Sequence, residues 1–240
     1  MGLVRLLQVS DLHLGRPFGW LPPERREERR RDQRQALERC VQEAIERGAH
    51  AILICGDLFD QEGVDADTLA FALEVFNLAG CPPVLIAPGN HDPYSPQSLY
   101  WNPRLLQARG RKWPEHVHLF TGASWSPFTL PGFEDVRIWG RCFTSSAVSM
   151  ERPLAAGMVP EIPASEGGRV EVAVFHGSRE GRCPLGTDVT APFSDQEALA
   201  SPFAYLAAGH YHLGSAITAT EGVAAGARLA YAGSAVAIDV

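Results

Sequence analysis

Lysine is almost missing from this 240-residue chain: Lys112 is the sole one, and arginine supplies the rest of its 21 basic side chains. Such a bias follows genome composition or thermal adaptation equally well. Net positive charge is missing too. The formal charge of −7 speaks at first sight against a nucleic-acid partner. It decides little, because two divalent cations bound among clustered acids add about four positive charges where a phosphate must sit. No apolar run approaches the roughly 18 residues of a membrane span. The N-terminus lacks the charged-then-apolar pattern of a signal segment, and Leu6 stands where a myristoylation motif requires Ser or Thr. These absences leave the cytoplasm as the expected compartment. Paired cysteines are lacking as well. Cys40, Cys55, Cys81, Cys142 and Cys183 are odd in number and scattered, with no Cys-x-x-Cys, which excludes a disulfide framework and a thiolate metal site.

What the chain does contain is five short apolar segments, each followed at once by metal-binding residue types. Val4–Val9 leads to Asp11-Leu12-His13, Ala51–Cys55 to Gly56-Asp57, and Val84–Ala87 to Gly89-Asn90-His91-Asp92. Val170–Phe175 leads to His176-Gly177, and Tyr205–Ala208 to Gly209-His210-Tyr211-His212. Runs of that length, rich in Val, Ile and Leu, read as buried strands. Ligands of open α/β sheets bind at the carboxyl ends of strands. An Asp-x-His or Gly-Asp alone is usually structural, but five coincidences in one chain reverse those odds.

The wider pattern is a strand at about 3–9, a helix at 24–47 opened by Pro22-Pro23 and closed by Gly48, and a strand at 51–55. A helix at 65–79 and a strand at 83–87 follow. A looser Pro-containing insertion covers 93–115. Strands are then expected at 117–120, 136–140, 170–175, 204–208, 215–219 and 228–232, with a short helix at 194–200 capped by Ser194. Alternation followed by mostly strands points to two stacked sheets with helices outside.

Asp, Asn and His without Cys form a donor set for harder divalent ions. Asp11 and His13, two apart on an extended segment, face one side, and His210 and His212 repeat that arrangement. Gly56, Gly89 and Gly209 let the backbone turn off each strand. Asp57 has no second ligand beside it and is the natural bridge between two ions. The count then gives Asp11, His13, Asp57 and His212 for one ion and Asp57, Asn90, His176 and His210 for the other. Such a pair lowers the pKa of a bridging water and neutralises the charge built up during in-line attack on a phosphate ester. His91, beside Asn90, is the expected general acid, with Asp92 to orient it. Arg16 is the expected phosphate contact, and Tyr211, between two ligands, either lines the substrate cleft or packs.

With these residues in place the chain resembles the calcineurin-like metallophosphoesterases over residues 9 to 234. Within them, Ser10-Asp11-Leu12-His13-Leu14-Gly15, Cys55-Gly56-Asp57-Leu58-Phe59-Asp60 and Tyr231-Ala232-Gly233-Ser234 are similar to the SbcD/YhaO-like DNA exonuclease group. The resemblance implies an α/β four-layer αββα sandwich of two mixed sheets flanked by helices. It implies a nuclease-core domain over 1–240, without the C-terminal DNA-capping domain into which relatives continue. It further implies two divalent metal ions, Mn²⁺ foremost, with Mg²⁺, Fe²⁺ or Zn²⁺ as alternatives. The implied partners are DNA and an SMC-like ABC ATPase, with a homodimer allowed and no membrane. Two other readings stay open: the same chemistry on cyclic nucleotides, nucleotides or phosphomonoesters, and a non-catalytic scaffold of this fold.

Two further stretches bear on DNA. Arg25 to Arg34 is arginine-rich, yet Glu24, Glu27, Glu28 and Asp32 are interleaved at helical spacing, so a solvated ion-paired face accounts for it. Tyr94, Tyr100, Trp101, Arg104, Arg109, Arg111, Lys112 and Trp113 mix aromatics with cations as single-strand binders do, although a lid packed on the sheet edge is favoured. His50, His116 and His118 carry no expected role.

Overall fold

The computed structural model describes residues 3–100, 112–162, 168–184, 186–218 and 227–237. The first half alternates as β1 (Leu6–Val9), α1 (Pro23–Glu46), β2 (Ala51–Ile54), α2 (Ala66–Phe76), β3 (Val84–Ile86) and β4 (Val117–Leu119). These four strands pair in chain order, and every pairing is parallel. β2 and β3 are buried at every residue. That is why they read as unbroken Ala, Ile, Leu and Val instead of alternating.

Pro23 opens α1 at a position whose N–H has no helical partner. Its buried residues Gln33, Ala36, Leu37, Val41 and Ala44 recur at three- and four-residue steps, which makes one buried stripe, apolar but for Gln33. On the outer face Arg25–Glu28, Arg29–Asp32 and Glu27–Arg30 form exposed ion pairs one turn apart. The arginine run is therefore the solvated face of a helix. The Asp65 carboxylate caps α2 by accepting from the N–H groups of Asp67 and Thr68.

The second half supplies β5 (Ser126–Leu130), β6 (Phe133–Gly140), β7 (Val170–His176), α3 (Asp195–Ala200), β8 (Tyr205–Gly209), β9 (Ser215–Thr218) and β10 (Ala227–Tyr231). The sheet order is β5-β6-β7-β8-β10-β9. β6, β7, β8 and β10 are parallel, and β5 and β9 join antiparallel at the two edges. The second sheet is thus mixed while the first is purely parallel, which corrects the expectation of two mixed sheets. β5 was not expected. Its Pro127 weakens the strand signal, and an edge strand tolerates a residue that donates no ladder bond.

Three apolar layers hold these parts together. Val9, Ile52, Ile54 and Ile86 pack against Leu37, Val41, Leu73 and Phe76 of the two helices. Between the sheets, Leu53, Leu85 and Phe120 meet Ile138, Val172, Val174 and Ala207. On the far face of the second sheet, Phe175, Leu206 and Tyr231 meet Leu154, Phe193, Ala198 and Phe203. The order is helices, sheet, sheet, and an outer layer in which α3, opened by a Ser194–Glu197 capping box, is accompanied by irregular chain.

The aromatic insertion contributes to the first layer. Tyr100 is buried there and stacks on Trp113 with centroids 5.7 Å apart. Trp101, Arg104, Arg109 and Arg111 lie outside the described residues, and Lys112 pairs with Glu115 at the surface. His50 accepts from the Arg5 N–H, His116 donates to the Phe76 carbonyl, and His118 lies edge-on to Phe120, so all three serve packing. Among the described residues no helix is long and apolar enough to cross a membrane.

The motif glycines lie where neighbouring chain leaves no room for a side chain. A Cβ on Gly209 would overlap the Cys55 carbonyl oxygen, and one on Gly89 would overlap the Asp57 carboxylate. Gly209→Ala is expected to cost more than about 3 kcal/mol, because backbone cannot yield as a side-chain tip can. Urea unfolding of the two proteins checks this; an equal midpoint would refute the close approach.

Candidate metal centre

Because β1, β2, β3, β7 and β8 run parallel within their sheets, each chain leaves its strand at the same edge. The pairing of β1 with β2 continues past their ends. Asp11 N–H donates to Gly56 O at 3.1 Å, and His13 N–H to Asp57 O at 2.9 Å. This crossing holds Asp11, His13 and Asp57 in left-handed backbone, with φ of 54°, 47° and 53°, and His210, just past β8, has a φ of 113°. Such residues cost roughly 1–2 kcal/mol each and persist where surrounding structure holds them. The sequence alone places the turning in the glycines and leaves Asp11 and His13 on an extended segment. Of the three glycines only Gly56 has positive φ, 86°. Gly89 and Gly209 are small because neighbouring atoms leave no room for a Cβ.

Asp57 stands at the centre. Its Oδ2 lies 3.6 Å from His13 Nε2 and 3.3 Å from His176 Nε2. His176 Nε2 is in turn 3.0 Å from Asn90 Oδ1. Donor atoms of Asp11, His13 and His212 lie within 4.8 Å of one another, and so do those of Asp11, Asp57 and His176. The remaining imidazole nitrogens are already engaged. His13 Nδ1 bonds the Asp60 carboxylate at 3.1 Å, His176 Nδ1 the Cys55 carbonyl at 2.9 Å, and His210 Nε2 the Asp188 carbonyl at 2.8 Å. A proton on each of those nitrogens leaves the other as a lone-pair donor, the arrangement usual behind metal-ligating histidines. His210 stands with its ring 5.1 Å from that of His176, and its N–H donates to both Asp11 carboxylate oxygens.

His13 Nε2 is fully buried and has no hydrogen-bond partner among the described residues. A buried imidazole nitrogen without a partner, facing carboxylates, fits a cation. The donor set is imidazole, carboxylate and amide oxygen without thiolate, which suits Mn²⁺, Fe²⁺, Zn²⁺ or Mg²⁺. The residues present therefore fit a pair of divalent ions that shares Asp57.

Two expected roles are corrected. The Asp92 carboxylate does not meet His91. It accepts from the N–H groups of Asp57, Phe59 and Gly89 and from the Tyr100 hydroxyl, at 2.7–3.1 Å. It ties two ligand-bearing loops together, and four donors leave it no capacity to orient an imidazole. Tyr211 is buried, donates its hydroxyl to the Arg179 carbonyl and stacks on Tyr231 at 4.6 Å. It packs beneath the site instead of contacting substrate.

His91 is exposed at the cleft, its Nδ1 3.1 Å from the Asp60 carbonyl and its ring edge-on to His13. Arg16 lines the same cleft, which measures about 770 Å³, and reaches Asp60 at 3.1 Å. Asp60 thus serves His13, Arg16 and His91 at once. It was visible as the last residue of Gly56-Asp57-Leu58-Phe59-Asp60, but its role depends on the loop crossing. Gln33 of α1 donates to the carbonyls of Leu12 and His13, and the Ser234 hydroxyl donates to the Asp11 carbonyl. No spacing rule points to either.

Burial opposes the protonated form of His176, yet the adjacent Asp57 carboxylate outweighs it and lifts the imidazole to about 9. Burial likewise opposes ionised Asp57, but His176, then His13 and His91, hold it below the usual carboxylate range. In the metal-free chain a raised His176 adds stability of about 3 kcal/mol below pH 6.5, lost as pH rises through about 9. Metal must displace that proton, so its affinity rises with pH over the same window, by about tenfold per unit. Urea unfolding in EDTA and with Mn²⁺, at pH 6.5 and 9.5, separates the two. The expected result is a loss at high pH in EDTA that Mn²⁺ reverses; a metal-free chain more stable at pH 9.5 would contradict it.

The chain is similar to several known proteins. The chain is 26% identical over 213 residues to the metallophosphoesterase YhaO of Bacillus subtilis, covering 86% of this chain and 48% of that one. It is 39% identical over 92 residues to the DNA double-strand break repair protein Mre11 of Aeropyrum pernix, covering 37% of this chain and 21% of the other. The chain spans about half the length of YhaO and less of Mre11. The crystal structure of TT1561 of Thermus thermophilus overlays with a TM-score of 0.49 at 13% identity, over 97% of this chain and 91% of that one. The calcineurin-like phosphoesterase description, whose members hydrolyse phosphoester bonds with divalent metals, matches residues 4–214. The chain belongs to the calcineurin-like phosphoesterase family.

Proposed function

We propose that this protein is a two-metal phosphodiesterase that cleaves DNA, with Mn²⁺ as its preferred ion. The observation that carries the reading is the position of Asp57, within 3.6 Å of donor nitrogens from both sheets on the floor of an open cleft. In this reading Asp11, His13, Asp57 and His212 hold one ion, and Asp57, Asn90, His176 and His210 the other. Bound there, the ions supply an activated water and offset the charge that develops on the phosphate oxygens.

The chain's own residues do the rest. His91, fixed through Nδ1 to the Asp60 carbonyl, presents Nε2 to the leaving oxygen and gives it a proton. Its N–H donates to Asp57 Oδ1 at 3.0 Å, which ties the acid to the bridging carboxylate. Arg16, braced on Asp60, contacts a non-bridging phosphate oxygen. Asp92 and Tyr100 act from behind by holding the Asp57 and Gly89 loops in register. The DNA substrate is supported by the wording around Asp11 and Asp57 and by the similarity to Mre11.

His91→Ala is expected to retain both ions while slowing cleavage ~10²-fold or more, as loss of a general acid does. End-labelled single-stranded and duplex DNA with Mn²⁺, bis-p-nitrophenyl phosphate alongside and Asp57→Asn as the inactive control, provide the assay. Loss of metal from His91→Ala would overturn the division of roles. Cleavage of the small diester without DNA would move the substrate to a nucleotide or another small phosphoester.

A further inference from the structure

Between Arg16 and the start of α1 the chain holds one large aromatic side chain half in solvent beside the metal cleft. Phe18 is buried, with a φ of 48°, and anchors a turn in which the Leu21 N–H donates to the Phe18 carbonyl at 2.9 Å. Arg26 of α1 braces that turn. It donates through Nε to the Leu21 carbonyl at 2.6 Å and through Nη2 to the Gly19 carbonyl at 2.8 Å. Trp20 is the third residue of the turn, edge-on to Phe18 with centroids 5.6 Å apart, and it is 49% exposed. A tryptophan is costly to leave in water, and the turn that exposes this one is pinned from both ends.

Arg16 ties the ring to the chemistry. Its Cζ lies over the Trp20 ring, 5.4 Å from the centroid, while the same side chain lines the metal cleft and is held by Asp60 at 3.1 Å. One guanidinium thus adjoins both the indole and the place of the phosphate. Pro184, Leu213, Val236 and Ala237 line the cleft as well, with Leu213 75% exposed, so its ligand carries apolar surface beside its charge.

We propose that Trp20 is a stacking platform for the base of a nucleotide adjoining the phosphate at the metal centre. The proposal rests on the reading of that centre as a phosphodiester site. A bare phosphate has no use for the indole, and an aliphatic group has none for the guanidinium beside it; a nucleotide uses both. A flat π-system gains most from an aromatic face, and such stacking tolerates any of the bases. Because the turn is fixed beforehand, stacking orders little of the protein. A base still paired in a duplex keeps its faces inside the stack, so the platform takes an unpaired one.

The test is binding of two short 5′-labelled single strands to the Mn²⁺-loaded chain, read by fluorescence anisotropy. One strand carries thymines, the other abasic tetrahydrofuran units, and both have phosphorothioate linkages that resist hydrolysis. The thymine strand is expected to bind about tenfold or more tighter, the weight of one stacked base. Trp20→Ala is expected to erase most of that difference while the abasic strand binds as before, and Trp20→Phe, which keeps an aromatic face, to retain most of it. Equal binding of the two strands by the parent chain would overturn the proposal, as would an undiminished difference in Trp20→Ala. Equal weakening of both strands in Trp20→Ala would also overturn it, by making Trp20 a brace for Arg16 and nothing more. A difference that depends on Trp20, in a chain that leaves ordinary DNA strands uncut, would retire the DNA cleavage reading and keep the platform.

Discussion

The site depends on two sheet edges meeting at a distance that only glycine permits. Gly209 of β8 lies against the Cys55 carbonyl and Gly56 against the His176 ring across the seam, while Gly89 lies against the Asp57 carboxylate within the first sheet. With these contacts the donors of β1, β2 and β3 face those of β7 and β8 across the seam. A methyl group on Gly209 or Gly56 would push the edges apart, and one on Gly89 would displace the Asp57 carboxylate. The apolar layer between the sheets stabilises the stack, but the glycines set its spacing at the chemical end.

The same seam explains where strain is held. Asp11, His13 and Asp57 adopt left-handed backbone because the β1 and β2 chains keep exchanging hydrogen bonds after their strands end. Asp92 fastens that arrangement by accepting from three backbone N–H groups of two loops. Tyr100, reaching it from the first helical layer, couples the site to the core. The machinery is preorganised by backbone and carboxylate contacts that take no direct part in chemistry.

Much of this was legible in the residues. Short unbroken apolar runs gave the parallel strands and their common edge, and the donors after them gave the place of the centre. Both followed because burial on two faces leaves a composition signal. Less was legible where function depends on long-range geometry. Asp92 reads as a partner for its neighbour His91, yet its carboxylate points across to Asp57 and Phe59, some thirty residues away in sequence. Tyr211 sits between two donors in the chain, but alternation puts it on the opposite face, against Tyr231. Gly89 and Gly209 look like turn residues, and only a three-dimensional clash identifies them as spacers. β5 is hidden by its proline, and Asp60 by the absence of any local pattern that marks a residue shared among three side chains.

The central claim is that Asp57 joins two ions into one unit. The most direct measurement is electron paramagnetic resonance on the Mn²⁺-titrated chain. Two ions per chain with an exchange-coupled signal, and loss of that coupling in Asp57→Asn, are the result expected of a shared carboxylate. A single ion, or two ions that behave as isolated Mn²⁺, would contradict it.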